Sequence, residues 1–276
     1  MLFFLFVSLC DIMVFVDVHC HLTHERFKVD LPRVVADAEA AGLRAVLVSG
    51  VNPEDNVKVL ELAKKYDVLK ASPGIYPIDA LGVSPDETGL PRHEGPIDLQ
   101  EQFDFFEKNK EDIVAIGEVG IDYKFGADFK EEQKQNFSRI VEFVEKFKKP
   151  VVVHSRKAES DVLDILESSS LKPSKVVLHC FSGSKKLIQR AADKGFNFSI
   201  PCIIGKLQHF QMLAEMVNIS QLLTETDAPW LAPIPGERNE PKNVVFTVKK
   251  IAEIKNFTQE ETANNIWLNF QKLLEF

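Results

Sequence analysis

The chain is short of cysteine, tryptophan and tyrosine, with four, two and three of them in 276 residues. Cys10, Cys20, Cys180 and Cys202 form no C-x-x-C pair, which favours reduced thiols and a cytoplasmic location. Positive charge is also scarce: 33 Lys and Arg stand against 41 Asp and Glu, a formal net charge of −8. The surface as a whole therefore does not attract polyanions, and a nucleic-acid partner would need a local basic rim. No apolar run reaches the ~20 residues of a membrane-spanning helix, so no stable membrane association is expected. The most apolar run, Met1 to Cys10, is broken by Asp11 and lacks the Lys or Arg start of a secretory signal. Residues 1–12 read as an apolar extension before a start at Met13, and residues 13–276 as one domain, expected to be monomeric. Linkers, low-complexity tracts and repeats longer than a β-α unit are all missing.

Apolar residues are what the chain has in quantity, 45% of the whole, enough for a large core. They fall into short runs that alternate with helical patterns. Strands are predicted at Met13 to Val18, Ala45 to Ser49, Val68 to Ile75, Ile113 to Glu118, Pro150 to His154, Val176 to His179, Phe196 to Ile200 and Leu222 to Thr226. Helices are predicted between them, the strongest at Glu131 to Phe147, where Phe137, Ile140, Val141, Val144 and Phe147 form one stripe. Tyr76 to Pro96 is rich in Pro and Gly and reads as a long loop. Eight such β-α units with fully apolar strands point to an α/β fold of the TIM type, a (β/α)8 barrel. Two extra C-terminal helices follow, Val244 to Ile254 and one opened by the capping box Thr258-x-x-Glu261.

Five of the strands end in residues that can bind metal. These are His19 and His21, Glu118, His154, His179 and Asp227. Residues two apart on a strand share a face, so His19 and His21 point together into the mouth of a barrel. The C-terminal rim is where barrels keep their active sites. Four imidazoles and two carboxylates exceed what one tetrahedral ion needs, and they suit two ions ~3.5–4 Å apart. Mg, Mn or Zn would be compatible. Asp17, one step deeper than His19, is placed to orient a ligand imidazole. His24, His93 and His209 read as solvated.

Six motifs carry a resemblance. Asp17-Val-His-Cys-His-Leu22, Gly117-Glu-Val-Gly-Ile-Asp-Tyr123, His154-Ser-Arg156, His179-Cys-Phe-Ser-Gly183, Thr226-Asp-Ala-Pro-Trp230 and Arg238-Asn-Glu-Pro241 resemble the TatD family of metal-dependent hydrolases, in order, from Val14 to the C-terminus. The resemblance implies deoxyribonuclease activity, often 3′-to-5′ on single-stranded DNA. It also implies that His19, His21, Glu118 and Asp227 hold one ion and Glu118, His154 and His179 a second. Asp227 would orient or deprotonate the attacking water, with Glu118 as the other catalytic carboxylate. The family usually has Gly-x-His-Pro after the third strand, whereas this chain reads Gly74-Ile-Tyr-Pro77. Tyr76, with an ordinary pKa of ~10, cannot serve as a neutral-pH acid but could bond to substrate or stack on a base.

A phosphodiester is anionic, so cations at the rim should hold it. Arg156, two residues past His154, and Arg238 are the candidate clamps, with Asn239 and Asp122 assigned beside them to the substrate. Two other readings accompany the nuclease: a deacylase, such as one acting on D-aminoacyl-tRNA, and a metal-binding barrel without catalysis. The complete ligand set disfavours the last.

Overall fold

A strand apolar on both faces needs cover on both, and the alternation of such strands with amphipathic helices supplies it. The computed structural model describes residues 13–84 and 89–275, so the apolar extension 1–12 lies outside the described residues. In chain order the elements are β1 (Phe15–Cys20), α1 (Leu31–Ala40), β2 (Leu43–Ser49), α2 (Pro53–Lys65), β3 (Leu69–Ser72), α3 (Leu99–Lys108), β4 (Ile116–Asp122), α4 (Lys130–Phe147) and β5 (Val151–Arg156). They continue with α5 (Glu159–Ser168), β6 (Val176–Leu178), α6 (Lys185–Lys194), β7 (Asn197–Pro201), α7 (Gln208–Met216), β8 (Leu222–Glu225), α8 (Val244–Lys255) and α9 (Gln259–Leu274). None of the described helices is long and apolar enough to cross a membrane.

The strands form two parallel sheets, β1-β2-β3 and β4-β5-β6-β7-β8, each in sequence order. Their edges meet at both joins. Asp227 N donates to His19 O at 2.9 Å and His21 N to Ala228 O at 2.8 Å, tying the end of β8 to that of β1. Gly117 N donates to Pro73 O at 3.0 Å, and bridges pair Ala71 with Ile113 and Ile75 with Val119 between β3 and β4. These bonds bring the C-terminal strand ends to one rim.

Two boundaries differ from the sequence expectation in a way that matters for the rim. β1 runs on to Cys20 and β4 to Asp122, so His19 lies within its strand instead of just beyond it, and Glu118 lies in mid-strand instead of at the end. Pairing continues because Val119 to Asp122 stay in register with Val153 to Arg156, polar side chains notwithstanding. Tertiary pairing here overrides local hydropathy. The α4 stripe is buried as its spacing predicts, and Phe103 of α3 stacks on Phe143 of α4 with ring centroids 4.4 Å apart. Each such buried ring contributes about 1.5–3 kcal/mol by removal from water. The capping box at Thr258 closes in both directions, and α9 packs against β1 and β8.

One glycine sets the position of Glu118. A Cβ on Gly74 would run into the backbone N and O of Glu118, while buried Asn56 grips Gly74 through both its N–H (2.9 Å) and its carbonyl (2.8 Å). Neither side can retreat. Gly74→Ala should therefore cost about 1–3 kcal/mol, the usual range for overpacking. It should also weaken metal binding, through displacement of Glu118. Urea unfolding and a metal titration check this together, and an unchanged midpoint with unchanged metal affinity would show that the contact can relax.

Candidate metal centre

The strand ends converge on Glu118. Its Oε2 lies 3.8 Å from His19 Nε2 and 3.5 Å from His21 Nε2, while its Oε1 lies 2.6 Å from His154 Nδ1 and 3.5 Å from His179 Nε2. Asp227 Oδ1 joins the first group, 3.4 Å from His19 Nε2 and 3.7 Å from His21 Nε2. The structure thus brings together all six residues singled out from the strand ends, and within them His19, His21 and Asp227, and His19, Glu118 and His179, are close enough to share an ion. His154 Nδ1, close as it is to Glu118 Oε1, makes no hydrogen bond. A buried imidazole nitrogen is thus left without a hydrogen-bond partner beside the carboxylate, as a cation's ligand would be. The donor set, imidazole and carboxylate, fits Zn or Mn as well as harder ions.

The electrostatics divide the cluster. Burial lowers His19 to about 3, helped by the neighbouring His179, and lowers His21 to about 4, helped by His19. Both are therefore neutral, the form that ligates. His154 is raised, burial being outweighed by the Glu118 charge, and His179 is raised well above its ordinary value, burial being outweighed by Glu225. Burial raises Asp227 against the pull of His179 and His21. Asp227 is the most accessible of the six, its side chain 19% exposed against 6% for Glu118. Its backbone is left-handed, φ 56°, a conformation aspartate tolerates better than most residues.

Three of the candidate ligand imidazoles are oriented from behind. Ser49 Oγ lies 2.9 Å from His19 Nδ1, Asp122 Oδ2 lies 3.1 Å from His154 Nε2, and Glu225 Oε2 lies 3.0 Å from His179 Nδ1. Such partners fix the tautomer and make the ligand more basic. Ser49 and Glu225 were not found from sequence. For Glu225 a signal existed: it sits two residues before Asp227, the same spacing that pairs His19 with His21, yet its strand looks apolar.

Several assignments need correction. Asp17 does not touch the His19 ring; its carboxylate accepts from His19 N (3.2 Å), Thr226 N (2.9 Å) and Thr226 Oγ1 (2.5 Å), so it staples β1 to the end of β8. Asp122 is buried and fully engaged, accepting also from Tyr76 Oη at 2.7 Å, and so supports His154 and is closed to substrate. Tyr76, whose pKa burial raises, is committed to the same carboxylate. Asn239 is buried, with its amide donating to Thr226 O and Leu231 O and its oxygen accepting from Glu240 N and Asn243 Nδ2. Arg238 is bound by Asp30 and Glu240 and lies 4.5 Å over the buried ring of Phe27. Both are engaged in closing the last loop. Arg156 remains: it is exposed at the end of β5 and has no ion pair among the described residues. His24 is buried, capping Arg26 N at 3.0 Å, while His93 pairs with Glu54 and His209 with Phe181 O.

Residues 16–275 match the family of TatD related DNases. A metal-dependent hydrolase of Methanocaldococcus jannaschii is 30% identical over 95% of this chain and 97% of its own. The deoxyribonuclease TATDN3 of Homo sapiens is 30% identical over 94% of this chain and 93% of its own. Among solved structures, the TatD homologue YJJV of Escherichia coli K12 superposes with a TM-score of 0.83 at 24% identity, covering 95% of this chain and 98% of that one.

Glu225 offers the sharpest check on the outer shell. Glu225→Ala removes the partner of His179 and of Ser199 Oγ, 2.5 Å away, without touching a ligand. Metal affinity should fall about 10–100-fold, as for other supports of ligating histidines. Calorimetric metal titration measures it; an affinity equal to that of the parent chain would remove Glu225 from the site.

Proposed function

The chain belongs to the TatD related DNase family, and from that premise we propose that this metal-dependent hydrolase is a deoxyribonuclease with a two-ion centre, removing nucleotides from DNA 3′ ends. The observation that carries the reading is the division of Glu118, one oxygen toward His19 and His21 and the other toward His154 and His179, beside the accessible Asp227. We further read the two parallel sheets, joined at both edges, as one closed (β/α)8 barrel with α8 and α9 added outside it. The likeness to solved relatives supports that reading.

His19, His21, Asp227 and Glu118 would hold one ion, and Glu118, His154 and His179 the other. Bound there, divalent ions would neutralise an anionic diester and lower the pKa of water. The remaining work falls to the chain. Asp227 orients the attacking water and accepts its proton, a role suited to a carboxylate whose proton affinity burial has raised. Arg156, on the strand that carries His154, holds a phosphate oxygen of the substrate. Asp122 and Glu225 keep the His154 and His179 rings turned toward Glu118.

Incubation with 3′-labelled single-stranded DNA and, in parallel, with D-aminoacyl-tRNA, each with and without Mg²⁺ or Mn²⁺, tests the substrate class. Metal-dependent release of nucleotides supports the proposal, and deacylation alone replaces it. Elemental analysis at saturating metal should give two ions per chain; one tight ion would end the binuclear scheme.

Two variants separate chemistry from positioning. Asp227→Asn keeps shape and should lower turnover by ~10² or more with an unchanged circular dichroism spectrum. Near-normal turnover would move the base elsewhere. Arg156→Ala should leave metal content intact and flatten the salt dependence of oligonucleotide binding by about one phosphate contact. Loss of metal with substrate affinity intact would instead make Arg156 a support of the fold.

A further inference from the structure

Beyond the metal cluster, the loop between β4 and α4 is built to a standard that its surface position does not require. Asp122 holds His154 with one carboxylate oxygen and the loop with the other, Oδ1 accepting from Lys124 N at 2.7 Å and Phe125 N at 3.0 Å. Buried Gln133 grips the same loop twice, accepting from Asp122 N at 2.8 Å and donating to Gly126 O at 2.7 Å. A segment fixed this firmly nevertheless presents Phe125 to solvent, 51% exposed.

The ring is flanked by cations. The Arg156 guanidinium lies 5.2 Å and Lys124 Nζ 5.5 Å from the Phe125 centroid, and Lys130 Nζ lies 5.0 Å from that of Tyr123, two residues earlier in the chain. Arg156, Lys124 and Lys130 form no ion pair among the described residues. The comparison with Arg238 is instructive. There too a guanidinium covers a phenyl ring, but Phe27 is buried and Asp30 and Glu240 neutralise the cation, so that contact is closed and structural. Around Phe125 the ring is open and the charge is left over, in a chain of net charge −8. A single exposed phenylalanine is ordinary. One that is rigidly seated, flanked by two cations without ion pairs and bonded through Asp122 to a candidate metal ligand has the composition of a single-strand stacking site, where bases lie on aromatic faces and cations follow the backbone.

We propose that Phe125 is a nucleobase platform, on which a base of a single-stranded substrate stacks while Lys124 and Lys130 take neighbouring phosphates. The proposal rests on the nuclease reading and extends it. Because every base has a π-face, the platform is indifferent to sequence, but it excludes a base paired within a duplex. The shared carboxylate of Asp122 fixes the platform relative to His154, so the stacked base sets which phosphate reaches the cluster.

The test uses the metal-loaded full chain. Stopped-flow mixing with a single strand containing 2-aminopurine reports stacking by fluorescence before turnover, and steady-state cleavage follows. Phe125→Ala should weaken strand binding roughly 5- to 150-fold, and lower kcat/KM for the strand by a similar factor relative to bis(p-nitrophenyl) phosphate. Phe125→Trp should restore both. Replacing Lys124 and Lys130 together by Ala should flatten the slope of log Kd on log salt by ~1.4, two single-strand phosphate contacts. A parent chain that cleaves the strand while Phe125→Ala binds and cleaves it equally well overturns the platform and leaves the nuclease reading standing. A parent chain that stacks the strand through Phe125 without cleaving it does the reverse. Preference of the parent for duplex over single strand also overturns the platform.

Discussion

Everything about the rim follows from crowding four imidazoles and a second carboxylate, Asp227, around the two oxygens of Glu118. Desolvated groups of this kind repel or neutralise one another unless a fixed charge pattern holds them. The pattern here is asymmetric. His19 and His21 are desolvated and driven neutral, whereas His154 and His179 face the charges of Glu118 and Glu225 and are driven toward the proton. The stacking of His19 on His179, centroids 3.8 Å apart, is tolerable because only one of the two is pushed toward charge. A cation at either oxygen of Glu118 would relieve the same crowding, which ties the site's chemistry to its packing.

That crowding in turn demands a second layer of buried carboxylates. Asp17, Asp122 and Glu225 are all buried, each with several donors, and each faces a different neighbour. Asp17 holds backbone, Asp122 joins an imidazole to a loop, and Glu225 joins an imidazole to Cys180 N and Ser199. A buried carboxylate without donors would be costly. Their acceptor capacity is taken up inside the protein.

The sequence disclosed the ligands more readily than their supports, for a physical reason. Ligands stand out where an apolar run stops, and the two-residue period of a strand says that His19 and His21 share a face. What it misjudged was where pairing ends, because β4 continues through Glu118 to Asp122 on the strength of its partner strand. Ser49 and Glu225 act across 30 and 46 residues of chain, and nothing local to them shows which imidazole they meet. Arg238 and Asn239 show the opposite failure. Their place in a rim loop was legible, but the direction of a side chain depends on Asp30, Phe27 and Thr226, which are distant in sequence.

The contrast between the two arginine–phenylalanine contacts gives the general argument its reach. Charge, ring and distance are similar at Arg238 and Arg156, and a motif scan cannot separate them. The acids nearby do separate them. Where Asp30 and Glu240 close the contact, the energy goes into holding the last loop against α1, and through Asn239 into the backbone at Thr226, next to Asp227. Where no acid closes it, the cation keeps its capacity to bind an anion, and the loop that carries the ring is already fixed by Asp122, so that little ordering entropy of that loop is lost when it does. On the proposed platform, an acidic protein would hold a polyanion at one segment of the rim, beside His154, against a net charge of −8 over the whole chain. That arrangement would favour strands that enter at the site over strands that settle elsewhere.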